Sequence, residues 1–170
     1  MRKVILFTAV SLDSYIARIQ GEVDWLFTDN DYGYDDFYQS IDTTLMGHNT
    51  YQQILSWGNF PYPEKINYVF SKIHPQPYHH SISFINNAIP DFVNQLKAKP
   101  GKNIWLVGGS QINTMLLNND LIDEMILAVH PIILGQGIPL FTQPAKVTRL
   151  DLQTSQIFAR GLVQMSYRLI

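Results

Sequence analysis

Leu106-Val107-Gly108-Gly109-Ser110-Gln111-Ile112 passes from an apolar run, through two glycines, into a segment with an apolar stripe at Ile112, Met115 and Leu116. Residues 103–107 read as a buried strand, and the stripe reads as one face of a helix. A strand that turns through Gly-Gly into a helix presents backbone N–H groups and the positive end of a helix dipole at one edge of a sheet. Glycine lets a ligand approach the backbone with no Cβ in the way. The arrangement suits a phosphate. A plain tight turn accounts for the same residues, and the glycine pair alone does not decide between the two.

Met46-Gly47-His48-Asn49-Thr50 repeats the pattern. Residues 43–47 read as a strand and 50–56 as a helix, with Tyr51, Ile54 and Leu55 on its apolar face and Thr50 and Gln53 at capping-box spacing. Taken alone, this is an ordinary capped helix. Two glycine-edged helix starts in one small sheet say more, because a dinucleotide carries one pyrophosphate bridging two halves. The three spaced glycines of the Rossmann fingerprint are absent, so that fold is not indicated by motif.

Working outward, residues 4–10 form a near-continuous apolar run, as in a strand covered on both faces. Residues 31–38 read as a short helix. A strand at 66–71 is followed by a loop with Pro75 and Pro77, a weaker strand at 83–85, and a helix opening near Pro90 with Phe92, Val93 and Leu96 on its core face. Residues 122–134 alternate in part up to a break at Pro131, and 147–158 with 162–169 read as a closing hairpin. Alternating strands and helices imply right-handed crossovers and a mostly parallel sheet, and the hairpin adds antiparallel strands. No linker, repeat or low-complexity tract divides residues 1–170, so one domain is expected.

Composition narrows the function. The chain has 170 residues, 46% of them hydrophobic and 15% charged, enough to bury a core without metals or disulfides. Its 12 basic and 14 acidic residues lack the basic stripe of a nucleic-acid binder. Having no cysteine, it has no thiolate nucleophile or thiolate zinc site. Met1-Arg2-Lys3 and the apolar run after it resemble a signal peptide only briefly. The run is short and breaks at Ser11-Leu12-Asp13-Ser14, and no segment reaches transmembrane length. A soluble cytoplasmic protein with no membrane partner is expected.

Among single residues, Asp13 is either a contact near a bound ligand or a turn aspartate. Trp25 is either a wall of a substrate site or a core aromatic. Glu124 reads as a solvated or hairpin charge. His79 and His80 are not expected to bind metal, because neighbours on an extended segment point to opposite faces. His130 reads as a core or interface histidine. No Gly-x-Ser-x-Gly elbow is present, which disfavours a hydrolase.

Four blocks, in order, resemble the dihydrofolate reductase superfamily, and more closely the branch related to the reductase domain of the bifunctional riboflavin-biosynthesis deaminase-reductase. They are Ser11-Leu12-Asp13-Ser14-Tyr15-Ile16-Ala17 with Asp24-Trp25-Leu26, then Leu45-Met46-Gly47-His48-Asn49-Thr50-Tyr51, then Leu106-Val107-Gly108-Gly109-Ser110. The last is Ile122-Asp123-Glu124 through Pro131 to Leu134-Gly135-Gln136-Gly137-Ile138-Pro139-Leu140-Phe141. The resemblance implies a three-layer α/β fold and an NADPH-dependent oxidoreductase. Its substrate would be a small pteridine, pyrimidine or other conjugated C=N or C=O compound.

Carried over by block, Ala9, Ile16 and Ala17 would line the nicotinamide. Gly47, His48, Asn49 and Thr50 would meet the phosphates, as would Gly108, Gly109, Ser110, Gln111 and Ile112. Ser71 and Lys72 would lie near the adenosine end. The family usually has Gly where Ser14 stands. It usually has Arg where His48 stands, and that change opens the way to NADH as cofactor unless Lys72 supplies the charge. The acid that assists folate reduction falls among Asp29, Asp31, Asp35 and Asp36, and no single one aligns. Relatives of this branch often dimerise, which makes residues 122–141 a candidate homodimer surface. The competing reading is a non-catalytic nucleotide- or metabolite-binding homodimer on the same fold.

Overall fold

The computed structural model describes residues 1–73 and 77–170, so Pro75 lies outside the described residues. Strand β1 (Val4–Ser11) is apolar on both faces because both faces are covered. Val4, Leu6 and Val10 meet one helical layer, while Ile5 and Phe7 meet the other. Next come β2 (Tyr15–Ala17), α1 (Tyr34–Ser40), β3 (Ile41–Gly47), α2 (His48–Ser56), β4 (Ile66–Phe70), β5 (Ile82–Ile85) and α3 (Ile89–Ala98). The chain continues with β6 (Asn103–Gly108), α4 (Ser110–Asn118), β7 (Glu124–His130), β8 (Ile138–Pro139), β9 (Leu150–Ile157) and β10 (Val163–Leu169).

The main sheet has eight strands in the order β5-β4-β3-β6-β1-β7-β10-β9. The strands from β5 to β7 are parallel, and β10 and β9 are attached antiparallel. Helices α3 and α4 cover one face through Val93, Leu96, Ile112 and Leu116, and α1 and α2 cover the other through Phe37, Tyr51 and Ile54. This is the three-layer, mostly parallel architecture expected from the sequence. Among the described residues, no helix is long and apolar enough to cross a membrane.

Several local expectations need correction. The helix placed at 31–38 begins only at Tyr34. Tyr32 and Gly33 have positive φ, which a right-handed helix does not accept, and Asp31 takes the Gly33 and Asp35 N–H groups on its two oxygens, each at 2.9 Å. The helix placed at 50–56 begins at His48, behind an extended Gly47 and with no side-chain cap. The Thr50–Gln53 capping box therefore does not form, and the Gln53 amide donates instead to the Gly21 carbonyl. The hairpin is shorter than expected, because its first strand starts at Leu150.

Strand register fixes where the two glycine turns meet. β3 and β6 are parallel neighbours, with Met46 opposite Gly108. Their carboxyl ends, and so both turns, emerge side by side.

Candidate functional site

Gly47 holds the N-cap of α2 (φ −79°, ψ 160°) and Gly109 that of α4 (φ −86°, ψ −159°), and neither helix start has a side-chain cap. The first-turn N–H groups of both helices are thus left without a side chain of their own to satisfy them. A Cβ on Gly47 would stand 3.1 Å from Ile112 Cγ1, and one on Gly109 would stand 3.2 Å from Thr50 Oγ1. Each turn packs onto the start of the other's helix, so the two N-termini form one cradle. Gly108 has φ +109°, a conformation that other residues rarely adopt, and the peptide bond after it is cis.

Above this cradle lies a cleft of about 1590 Å³ along the carboxyl edge of the sheet. Small-molecule sites commonly run to about 300–1,000 Å³, so there is room for a dinucleotide and a second ligand together. Gly47, His48, Asn49, Thr50, Gly109, Ser110, Gln111 and Ile112 line its middle. Ser71 and Lys72 line it after β4, and Ala9, Ile16 and Ala17 line it at β1 and β2. Of the cofactor residues expected from sequence, only Gly108 is not part of this wall; it sits one residue behind, over Asn113. His48 Nδ1 is 3.2 Å from Ser71 Oγ, which ties the start of α2 to the end of β4. The Ser110 hydroxyl donates to the Pro139 carbonyl, so it is the backbone of Ser110 that remains for a ligand.

The cleft has a second, aromatic lobe that sequence reasoning missed. Phe7, Phe27, Tyr34, Tyr62, Trp105 and His130 line it. The Trp105 Nε1–H donates to the Phe7 carbonyl at 3.0 Å. His130 Nε2 accepts the Phe27 N–H at 3.2 Å, which leaves Nδ1 to carry the proton and donate to the Ala128 carbonyl at 3.1 Å. Burial lowers the His130 pKa, so the ring is neutral at pH 7. Burial also pushes the Tyr34 phenol up to about 12 and raises Tyr62 as well. These residues come from six separate stretches of chain, each unremarkable alone.

Two candidates fall outside the wall. The Asp13 carboxylate accepts the Ser11 hydroxyl at 2.7 Å and the Leu134 and Gly135 N–H groups at 3.1 and 2.8 Å. The Ser11 hydroxyl, with help from those amides, keeps its pKa low. Asp13 is a clasp that holds the β1–β2 turn against the loop before β8. Trp25 is buried behind the lobe with its ring edge-on to His130 at 5.2 Å.

Of the four acids from 29 to 36, only Asp31 lines the cleft, and its oxygens hold the Gly33 and Asp35 N–H groups. His79 and His80 do not point apart. They lie in a turn before β5 with ring centroids 4.1 Å apart. Among the described residues, no three acids or histidines cluster for a metal. Glu124 pairs with Lys3 at 2.6 Å. Within residues 122–141, β7 lies between β1 and β10 and β8 pairs with β2, while Ile133 in the loop between them is 70% exposed.

A mostly parallel sheet between two helical layers, extended by antiparallel strands and carrying its cleft over glycine-edged helix starts, defines a dihydrofolate-reductase-like protein. The chain belongs to the RibD C-terminal domain family, which it matches over residues 2–164. It is 39% identical to the uncharacterized protein YwjB of Bacillus subtilis (strain 168), over 98% of this chain and 97% of that one. It is 38% identical to the uncharacterized protein YyaP of the same organism, over 98% and 94%.

Among solved structures, it is similar to a Shewanella sp. PV-4 protein named for riboflavin biosynthesis, with TM-score 0.87, 29% identity and 99% of each chain covered. It also shares the fold of the Thermotoga maritima diaminohydroxyphosphoribosylaminopyrimidine deaminase/5-amino-6-(5-phosphoribosylamino)uracil reductase. That match has TM-score 0.73 and 15% identity, and covers 99% of this chain and 57% of the larger protein.

Proposed function

We propose that this protein is a reductase that uses a nicotinamide dinucleotide, NADPH or NADH, to reduce a conjugated C=N or C=O group in a small molecule. The observation that carries this reading is the pair of uncapped, glycine-edged helix starts packed into one cradle at the floor of one cleft. A pyrophosphate carries the charge that such N–H groups and helix dipoles favour. The residues fit the group. His48, Asn49, Thr50, Gln111 and Ile112 would hold the phosphates through backbone N–H groups, Ser71 and Lys72 would border the adenosine end, and Ala9, Ile16 and Ala17 would border the nicotinamide.

When bound, the cofactor supplies the hydride; the chain's contribution is position and exclusion of water. Ala9 and Ala17 keep that stretch of wall small enough for a flat ring. The aromatic lobe beyond them seats the second ligand beside that ring and keeps bulk water out. Among the described residues, Asp31 is the one carboxylic acid of this wall, and each of its oxygens already accepts one backbone N–H.

Titration of the purified protein with NADPH and NADH, followed by nucleotide fluorescence, tests the reading. Saturable binding of at least one is expected, and no binding of either at millimolar concentration contradicts it. The place of His48, beside Ser71 where the family usually has an arginine, favours one second reading: a nucleotide-binding protein without turnover. Binding of nucleotide with no oxidation of it by any carbonyl or imine acceptor would select that reading.

A further inference from the structure

The walls of the aromatic lobe say what class of molecule it accepts. Phe7, Phe27, Tyr34, Tyr62, Trp105 and His130 offer ring faces and edges. Trp105 sits at their centre, its ring 5.8 Å from Tyr34 and 5.1 Å from Tyr62. The polar handles of this set are largely spent inside the protein. The indole N–H of Trp105 is used by Phe7, and both ring nitrogens of His130 are used by backbone. What these rings present to the cleft is uncharged, with the Tyr34 and Tyr62 hydroxyls as the polar groups that the set retains.

Charge is distributed unevenly along the cleft. Among the described lining residues, Lys72 is the one lysine and there is no arginine. Lys72 follows β4, three strand positions from β1 in the sheet order, which is about 14 Å of sheet at the usual strand spacing. Arg160 lies over the Phe27 ring, 4.0 Å from its centroid, but it is paired with Asp29 at 3.0 Å and is not part of the wall. The charged group on the lobe's own side is the Asp31 carboxylate. An anion placed here would lose part of its water, find no cation in the lobe's wall, since Arg160 is paired with Asp29, and meet the Asp31 charge. A flat ring would lose little and gain stacking against Trp105 and Tyr34.

We propose that the lobe takes an uncharged planar ring system that carries no phosphate or carboxylate. The proposal rests on the reductase reading only in calling that ring the substrate; the selectivity comes from the wall itself.

The test uses 1-naphthol and 1-naphthyl phosphate, the same bicycle without and with a phosphate. Each is titrated by calorimetry into the full-length protein saturated with NADP+, which occupies the glycine cradle and bears no hydride. The expected result is 1-naphthol binding tighter by about tenfold or more, the scale set by one uncompensated charge. Tyr34→Arg, which adds a cation to the wall, should shrink that ratio. Equal or tighter binding of the phosphate, no binding of either compound, or a ratio unmoved in a folded Tyr34→Arg variant overturns the proposal. If NADP+ fails to bind while naphthol keeps its preference without it, the cofactor reading fails and the substrate class stands. If NADP+ binds and the preference is absent, the reverse holds.

Discussion

The two lobes of the cleft are made in opposite ways. The glycine lobe is built from backbone: two strand ends, two helix starts, and the absence of side chains at Gly47 and Gly109. The aromatic lobe is built from side chains that the fold gathers from positions 7, 27, 34, 62, 105 and 130. A backbone site depends on conformation and is specific for what every dinucleotide shares. A side-chain site is free to vary without disturbing the sheet. On the proposed reductase reading, the difference would put the general part of the chemistry in the first lobe and the choice of substrate in the second.

Breaking the aromatic lobe should have the largest effect, because Trp105 also belongs to the core. It packs among Phe37, Tyr34, Tyr38 and Tyr62, and a Trp105→Ala variant should lose about 3–5 kcal/mol in chemical denaturation. A loss under half of that would mean the lobe is a loose rim and not a packed wall.

In the glycine lobe, adjacent residues should separate fold from binding. Gly108→Ala forces a side chain onto φ +109° with Asn113 Oδ1 3.1 Å away, so stability should fall by about 1–3 kcal/mol. Gly109→Ala meets an ordinary φ and a hydroxyl that has some room to move, so it should fold. Its methyl group narrows the cradle, and NADPH affinity should drop by about tenfold. Similar effects of the two substitutions on both measurements would erase the distinction.

The sequence disclosed these lobes unequally, for the same physical reason. Strand-glycine-helix is a local pattern, so both turns were legible at Gly47 and Gly108-Gly109, and so was the mostly parallel sheet that sets them side by side. Element ends were less legible. Thr50 and Gln53 have the spacing of a capping box, yet Gln53 bonds to Gly21, a contact 32 residues away that no local window contains. Asp13 looked like a turn residue or a ligand contact because its real partners, Leu134 and Gly135, lie on the far side of the chain. The aromatic lobe has no local signature at all. Trp25 was the natural aromatic to name, and it packs one layer too deep.

Two smaller effects sharpen the contrast. His48→Arg places a fixed charge beside Ser71 and should raise the preference for NADPH over NADH several-fold, read as a ratio of dissociation constants. His130→Gln should alter how stability depends on pH. In the native protein the His130 pKa lies below its ordinary value near 6.5. Below that value the unfolded chain binds a proton that the folded one resists, so stability declines as the pH falls through 6.5 and toward the lower folded value. The glutamine variant, which still offers an acceptor to the Phe27 N–H, should lose that part of the decline in melting temperature between about pH 7 and 5. An unchanged slope would assign the pH response to other groups.

The central claim concerns where a pyrophosphate rests, and a crystal structure of the protein grown with NADP+ measures that directly. The account predicts pyrophosphate oxygens within hydrogen-bond distance of first-turn N–H groups of both α2 and α4, with the nicotinamide toward Ala9 and Ala17. A nucleotide bound at only one of the two helix starts, or anywhere outside the cleft, would contradict it.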